Sequence, residues 1–178
     1  MACVYHRIGG FQVTRGRLPQ GVAGVTKTLA LMRALALEGS RDVEVREAAI
    51  GAVRRAGVPA HDHRGELFAL FRFVRDGIRF TRDIDGVETL QSPRYTLEVG
   101  AGDCDDRATL LAALARSIGL PVELRFRVAA ANPGAPGRFS HVYVTALVGG
   151  KLIALDPTYP NNQPGFEPPN TRVGDFRL

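Results

Sequence analysis

The stretch GDCDDRATLLAALARSIGLP, residues 102–121, decides the fold. It reads as one helix. Asp103 is a good N-cap, because its carboxylate can accept from backbone N–H groups that a first turn leaves unpaired. Leu110, Leu111, Leu114 and Ile118 supply an apolar face, Gly119 stands where a C-cap glycine belongs, and Pro121 blocks continuation. Cys104 falls in the first turn. With Ala108, Leu111, Ala115 and Ile118 it recurs at steps of four and three, which places the thiol on the buried stripe. A helix start carries roughly half a positive charge and favours thiolate over thiol. Asp105 and Asp106 oppose that, since neighbouring carboxylates disfavour a thiolate. As first-turn acids they complement the dipole instead. An inert core cysteine has the same signature, so the helix alone leaves both readings open.

Downstream the period changes from helical to alternating. Residues 122–130, 141–148 and 151–155 read as three strands, the last two joined at Gly149-Gly150. With that turn, partners are residues whose numbers add to the same total as Val148 and Lys151. Tyr143 then faces Asp156, and His141 becomes a diagonal neighbour of Asp156 on one face, roughly 7 Å away between Cα atoms. Taken singly, His141 is an ordinary strand histidine and Asp156 a turn-initiating residue before Pro157. Taken with Cys104 they are a nucleophile, a base and an orienter. A cysteine nucleophile needs an imidazole to take its proton and return it to the leaving group, and the imidazole needs a carboxylate to fix its tautomer. Acyl transfer also needs donors for the developing oxyanion. The Cys104 N–H is one candidate and Gln91 the other.

Upstream, one helix fits 23–38 and ends at Gly39, a second, capped by Ser40, runs to about Arg55 and stops at Gly57, and a third fits 64–76 with Asp62 as its cap, after which Ile78 and Phe80 alternate like a short strand. A short strand fits Phe11 to Thr14. Residues 83–102 read as a loop through Asp85-Gly86 and Ser92-Pro93. The residues from 160 onward read as an extended tail. The whole is an α+β chain of one domain, 1–178. Residues 1–60 form an N-terminal helical extension, 64–159 the core, and 160–178 the tail.

Composition bounds the function. The chain has 178 residues, 45% apolar and 23% charged, with net charge +5. That is a globular balance. Of its 23 basic residues 21 are Arg, scattered without a block, so no specific nucleic-acid surface is expected. Two cysteines, Cys3 and Cys104, make no disulfide framework and no CxxC zinc pattern, which suits a reducing compartment. The most apolar segment, residues 22–37, is interrupted by Lys27 and Arg33, and no membrane span or leader is expected. His61-Asp62-His63 reads as a helix start rather than a metal site. No metal and no cofactor are expected.

The run 102–121, followed by Ser-His-Val-Tyr-Val (140–144) and Leu-Asp-Pro-Thr-Tyr (155–159), resembles the transglutaminase-like superfamily of bacterial and phage type. So do Phe73 to Phe80 and Gln91-Ser92-Pro93. The resemblance extends from near Arg64 to Tyr159. It implies a papain-like α+β core with the Cys-bearing helix packed on an antiparallel sheet, and a triad of Cys104, His141 and Asp156. Many members place an aromatic, often Trp, right after a His-Ala pair; this chain has Val142-Tyr143 and no Trp. The expected function is a cysteine peptidase, amidase or acyltransferase that acts on a protein or peptide substrate through a thioester, in the cytoplasm. The alternative is a non-catalytic structural or assembly protein, with phage virion or tail proteins as partners.

Overall fold

A computed structural model describes residues 4–8, 11–15, 19, 21–83, 89–135 and 138–178. The chain opens with an antiparallel pair, β1 (Val4–Ile8) and β2 (Phe11–Arg15). Three helices follow: α1 (Val22–Gly39), α2 (Val43–Arg55) and α3 (His63–Gly77). Asp42, not Ser40, caps α2, accepting from the N–H groups of Glu44 and Val45. Ser40 instead ends α1, its Oγ donating to Leu37 O at 2.9 Å. A carboxylate two residues on outcompetes the hydroxyl because α1 runs one residue further than its periodicity suggests. Asp62 caps α3 as expected, through Gly65 N.

The segment expected to be a loop holds more structure. After β3 (Arg79–Phe80), Ser92 caps a short helix α4 (Pro93–Val99), with Pro93 at its first position. The Ser-Pro pair is therefore a helix start, not a turn, which is where proline's fixed φ and missing N–H cost least. Gly100, at φ 64°, ends α4 and leads into β4 (Ala101–Gly102), which runs parallel to β3. The expected Asp85-Gly86 turn lies outside the described residues.

Then comes α5 (Cys104–Ser117), and after it an antiparallel sheet in the order β7-β6-β5-β8, made of β5 (Glu123–Ala129), β6 (His141–Val148), β7 (Lys151–Leu155) and β8 (Val173–Arg177). The tail is extended and its end joins the sheet: β8 pairs with β5 and adds an edge strand. Val148 pairs with Lys151 and Val144 with Leu155, so the Gly149-Gly150 turn sets the expected register.

The core lies between two layers. One sheet face presents Leu124, Phe126, Val128, Val142, Val144, Ala146 and Leu155; the helices present Met32, Ala36, Val45, Leu67, Leu70 and Phe71. Helix α5 runs between them and is buried on nearly every side, Asp105 to Ala115 included. That exceeds the single apolar stripe of its sequence. Its small Ala residues let α1, α2 and α3 approach, while Leu110, Leu111 and Leu114 are each fully buried, worth about 1.5–3 kcal/mol apiece. A central helix this enclosed fixes its first turn rigidly. Among the described residues no helix is long and apolar enough to cross a membrane.

Candidate active site

Cys104 is the first residue of α5. Asp103 caps the helix through the N–H groups of Asp105 and Asp106, and Asp106 answers by accepting from Asp103 N, a complete capping box. Asp106 also accepts from Gln91 N at 2.8 Å, which ties the segment before α4 to the helix start. Gly102 is required here: a Cβ on it would lie 2.7 Å from Asp106 Cβ. Burial raises the Asp106 carboxyl to a pKa of about 7, against the pull of the Gln91 and Asp103 N–H groups.

The Cys104 sulfur sits between two partners. It donates to Asp105 Oδ1 at 3.4 Å, and the Val142 backbone N–H points at it from the sheet. Burial pushes the thiol well above its ordinary value, and Asp105 and then Asp103 push it further; Val142 opposes them and is outweighed. The resting group is therefore a thiol. The helix start favours a thiolate, as expected, but burial and two carboxylates win.

His141 opens β6, one residue before Val142, and Asp156 follows the end of β7. Nε2 of His141 lies 2.9 Å from Asp156 Oδ2, the diagonal pairing expected from the turn. The carboxylate is fully buried and held at both oxygens, Oδ1 accepting from Thr158 N at 3.1 Å. Burial works to raise its pKa, but the His141 and Thr158 donors outweigh that and hold it below the usual range. Because Asp156 occupies Nε2, Nδ1 is the ring nitrogen left for proton transfer.

Cys104 and His141 line one cavity of about 780 Å³. Gln91 does not line it. The backbone N–H of Gln91 is spent on Asp106, and its side-chain Oε1 is buried without a hydrogen-bond partner among the described residues. The Cys104 N–H, at the first helical position, has no acceptor within the helix and is free to serve as an oxyanion donor.

Sequence reasoning missed the support behind the His141–Asp156 pair. Arg107 is buried one turn into α5, and its guanidinium donates to Thr158 O at 2.8 Å, Arg75 O at 2.8 Å and Val74 O at 3.2 Å. Asn162 Nδ2 donates to Asp156 O at 3.0 Å, and Arg75 holds the Asn162 carbonyl in turn. Aromatic walls are present although Trp is not: the rings of Tyr143 and Tyr159 lie 5.8 and 6.4 Å from that of His141. The place of Arg107 three residues after Cys104 was the available signal, since a charged residue one turn along a buried stripe needs buried partners.

Three ligand-type atoms, on Asp103, Cys104 and Asp105, lie within 4.8 Å of one another, the one such group among the described residues. Two of these residues are already engaged, as cap and as thiol acceptor. Cys104, His141 and Asp156 do not form such a group, so a zinc held jointly by the three finds no position.

A buried helix with Cys at its start, packed on an antiparallel sheet that carries a His–Asp pair, defines a papain-like architecture. The chain belongs to the transglutaminase-like superfamily, whose family profile matches residues 60–157, more than half of it. At family level this is a cysteine-type hydrolase fold. Among curated proteins no relative matches. Solved structures do. A candidate protease from Parabacteroides distasonis is similar at 13% identity and TM-score 0.54, over 86% of this chain and 35% of that one. A candidate cysteine protease from Cytophaga hutchinsonii shares 21% identity at TM-score 0.48, over 75% of this chain and 44% of that one. LapG of Legionella pneumophila shares 15% identity at TM-score 0.49, over 79% of this chain and 76% of that one. The chain thus spans less than half the length of the first two.

Proposed function

We propose that the chain is a cysteine hydrolase or acyltransferase that cleaves an amide of a protein or peptide through a thioester on Cys104. The observation that carries this is the 2.9 Å His141–Asp156 pair, with His141 lining the same cavity as the Cys104 thiol. On substrate binding the thiol proton passes to His141 Nδ1 and the sulfur adds to the amide carbonyl. The oxyanion is met by the Cys104 N–H. The C–N bond then breaks, the amine leaves with the proton from His141, and a thioester remains. Water, or a second amine, gives its proton to His141 and attacks the thioester. The C–S bond breaks, the acid or new amide departs, and the proton returns to sulfur.

Asp156 stabilises the imidazolium at each stage and fixes the ring. The upward push on the Cys104 thiol from burial and from Asp105 is what favours the non-catalytic alternative, an assembly protein that retains the fold. A proteome-derived peptide library separates the two. The intact protein should generate new peptide termini or new amide cross-links that vanish in Cys104→Ala and His141→Ala. Termini that persist in both variants, or none at all across the library, would overturn the proposal.

A further inference from the structure

His141 faces two cavities of different size. The larger, about 780 Å³, reaches Cys104 as well as His141; the smaller, about 290 Å³, reaches His141 together with Tyr159 and Arg82 but not Cys104. In the chemistry above the acyl carbon is bonded to sulfur, while the leaving nitrogen takes its proton from the imidazole. The acyl part of a substrate therefore belongs in the larger cavity and the leaving amine in the smaller.

The larger cavity has a wall that lies outside the residues matched to the family. Helix α1 contributes Val22, Val25 and Leu29 to it, opposite Val128 and Phe139 of the sheet side. Val22, at the start of that wall, is 61% exposed. The chain before α1 packs closely on its first turn. Gly24 lets the Pro19 carbonyl come so close that a Cβ would overlap it, and Gly24 N donates to Gly21 O at 3.1 Å. The size falls in the range of about 300–1,000 Å³ typical of ligand pockets. Its lining is mixed: Val22, Val25 and Leu29 make the α1 wall apolar, while Asp103, Asp105, Arg138 and Ser140 make the side around Cys104 polar.

We infer that α1 builds an acyl-side specificity pocket, and that the substrate is a peptide or amide whose acyl residue carries a bulky apolar side chain. This rests on the proposed function, and the test keeps the two apart. Three peptidyl vinyl sulfones differing only in Leu, Asp or Gly beside the electrophile are allowed to react with the intact protein. Rates at Cys104 are read by mass spectrometry and divided by the iodoacetamide rate of the same variant. The Leu probe should react at least about tenfold faster than the other two, the discrimination an apolar pocket gives. Val22→Asp, on an exposed position, and Val25→Ser should each cut that preference severalfold. Equal rates for the three probes, or a preference unmoved in both variants, would sink the pocket while leaving the triad intact. A His141→Ala protein that keeps the full Leu-probe rate would sink the triad instead.

Discussion

The Cys104 thiol points at a carboxylate, with Asp105 Oδ1 3.4 Å from the sulfur. Burial raises the thiol pKa most, and Asp105 is the next cause. In the proposed mechanism a thiol held this way is quiet until substrate fills the cavity and His141 accepts the proton. Replacing Asp105 with Asn removes one negative charge and leaves an amide of the same shape. The alkylation profile of Cys104 should then move to lower pH, and labelling by iodoacetamide at neutral pH should speed up. A profile that stays in place in Asp105→Asn would mean that burial alone sets the thiol.

Asp106 titrates in the opposite sense to a salt-bridged carboxylate. Its folded pKa of about 7 lies above the ordinary value of 3.8, so the folded state binds the extra proton between those limits. The stability from that proton is fully present below about pH 4 and is lost as pH rises to about 7, of order 4 kcal/mol at most. Carboxylates held low, such as Asp156 and Asp175, change stability only at more acid pH. Urea unfolding should therefore show the protein weaker at pH 8 than at pH 5. Asp106→Asn should flatten that difference, because an amide keeps an acceptor for Gln91 N and cannot ionise.

Asp156 tests the triad itself. Asn at this position can still accept from Thr158 N, so the fold should lose only about 1–3 kcal/mol, measured by thermal unfolding. The charge that stabilises the imidazolium is gone, and the ring can be held in the wrong tautomer. Amide turnover should fall by about 10²–10⁴. Turnover within twofold of the parent in a folded Asp156→Asn protein would remove Asp156 from the mechanism and leave a Cys–His dyad.

The parts of this site that local geometry dictates were legible in the sequence. Gly149-Gly150 takes positive φ at both residues, the turn that pairs Val148 with Lys151, and that register carries His141 to Asp156. Asp103 and Gly119 bracket α5 for equally local reasons. What depended on distant partners was not legible. Burial of α5 on all sides comes from α1, α2 and α3 packing over its alanines. The edge strand β8 has exposed and half-buried positions in alternation, and is held by backbone pairing with β5, by Phe176 against the core and by Asp175 meeting Arg127 at 2.7 Å. Neither Val173 nor Phe176 announces that. The raised thiol was legible in part: spacing turned Cys104 inward and put Asp105 beside it, and only the weight of burial against the helix start came from the packing.

Arg107 is where such distant partners converge, and it yields the last prediction. Its guanidinium bridges the Thr158 carbonyl, two residues beyond Asp156, to the carbonyls that end α3. Burial lowers its pKa, and Asp156 and Asp76 pull it back. It is a positioning residue that acts on His141 through the Asp156–Thr158 turn. Arg107→Met leaves three buried carbonyls short of a donor, and should cost about 3–5 kcal/mol. That loss alone would not distinguish packing from positioning. Arg107→Lys keeps the charge but cannot span all three oxygens, since an ammonium is a point donor and a guanidinium a planar fork. It should retain most of the stability of the parent while lowering amide turnover severalfold, and should move the pH profile of turnover because the His141–Asp156 geometry has loosened. A folded Arg107→Lys protein with the parent's turnover and pH profile would make Arg107 a packing residue only.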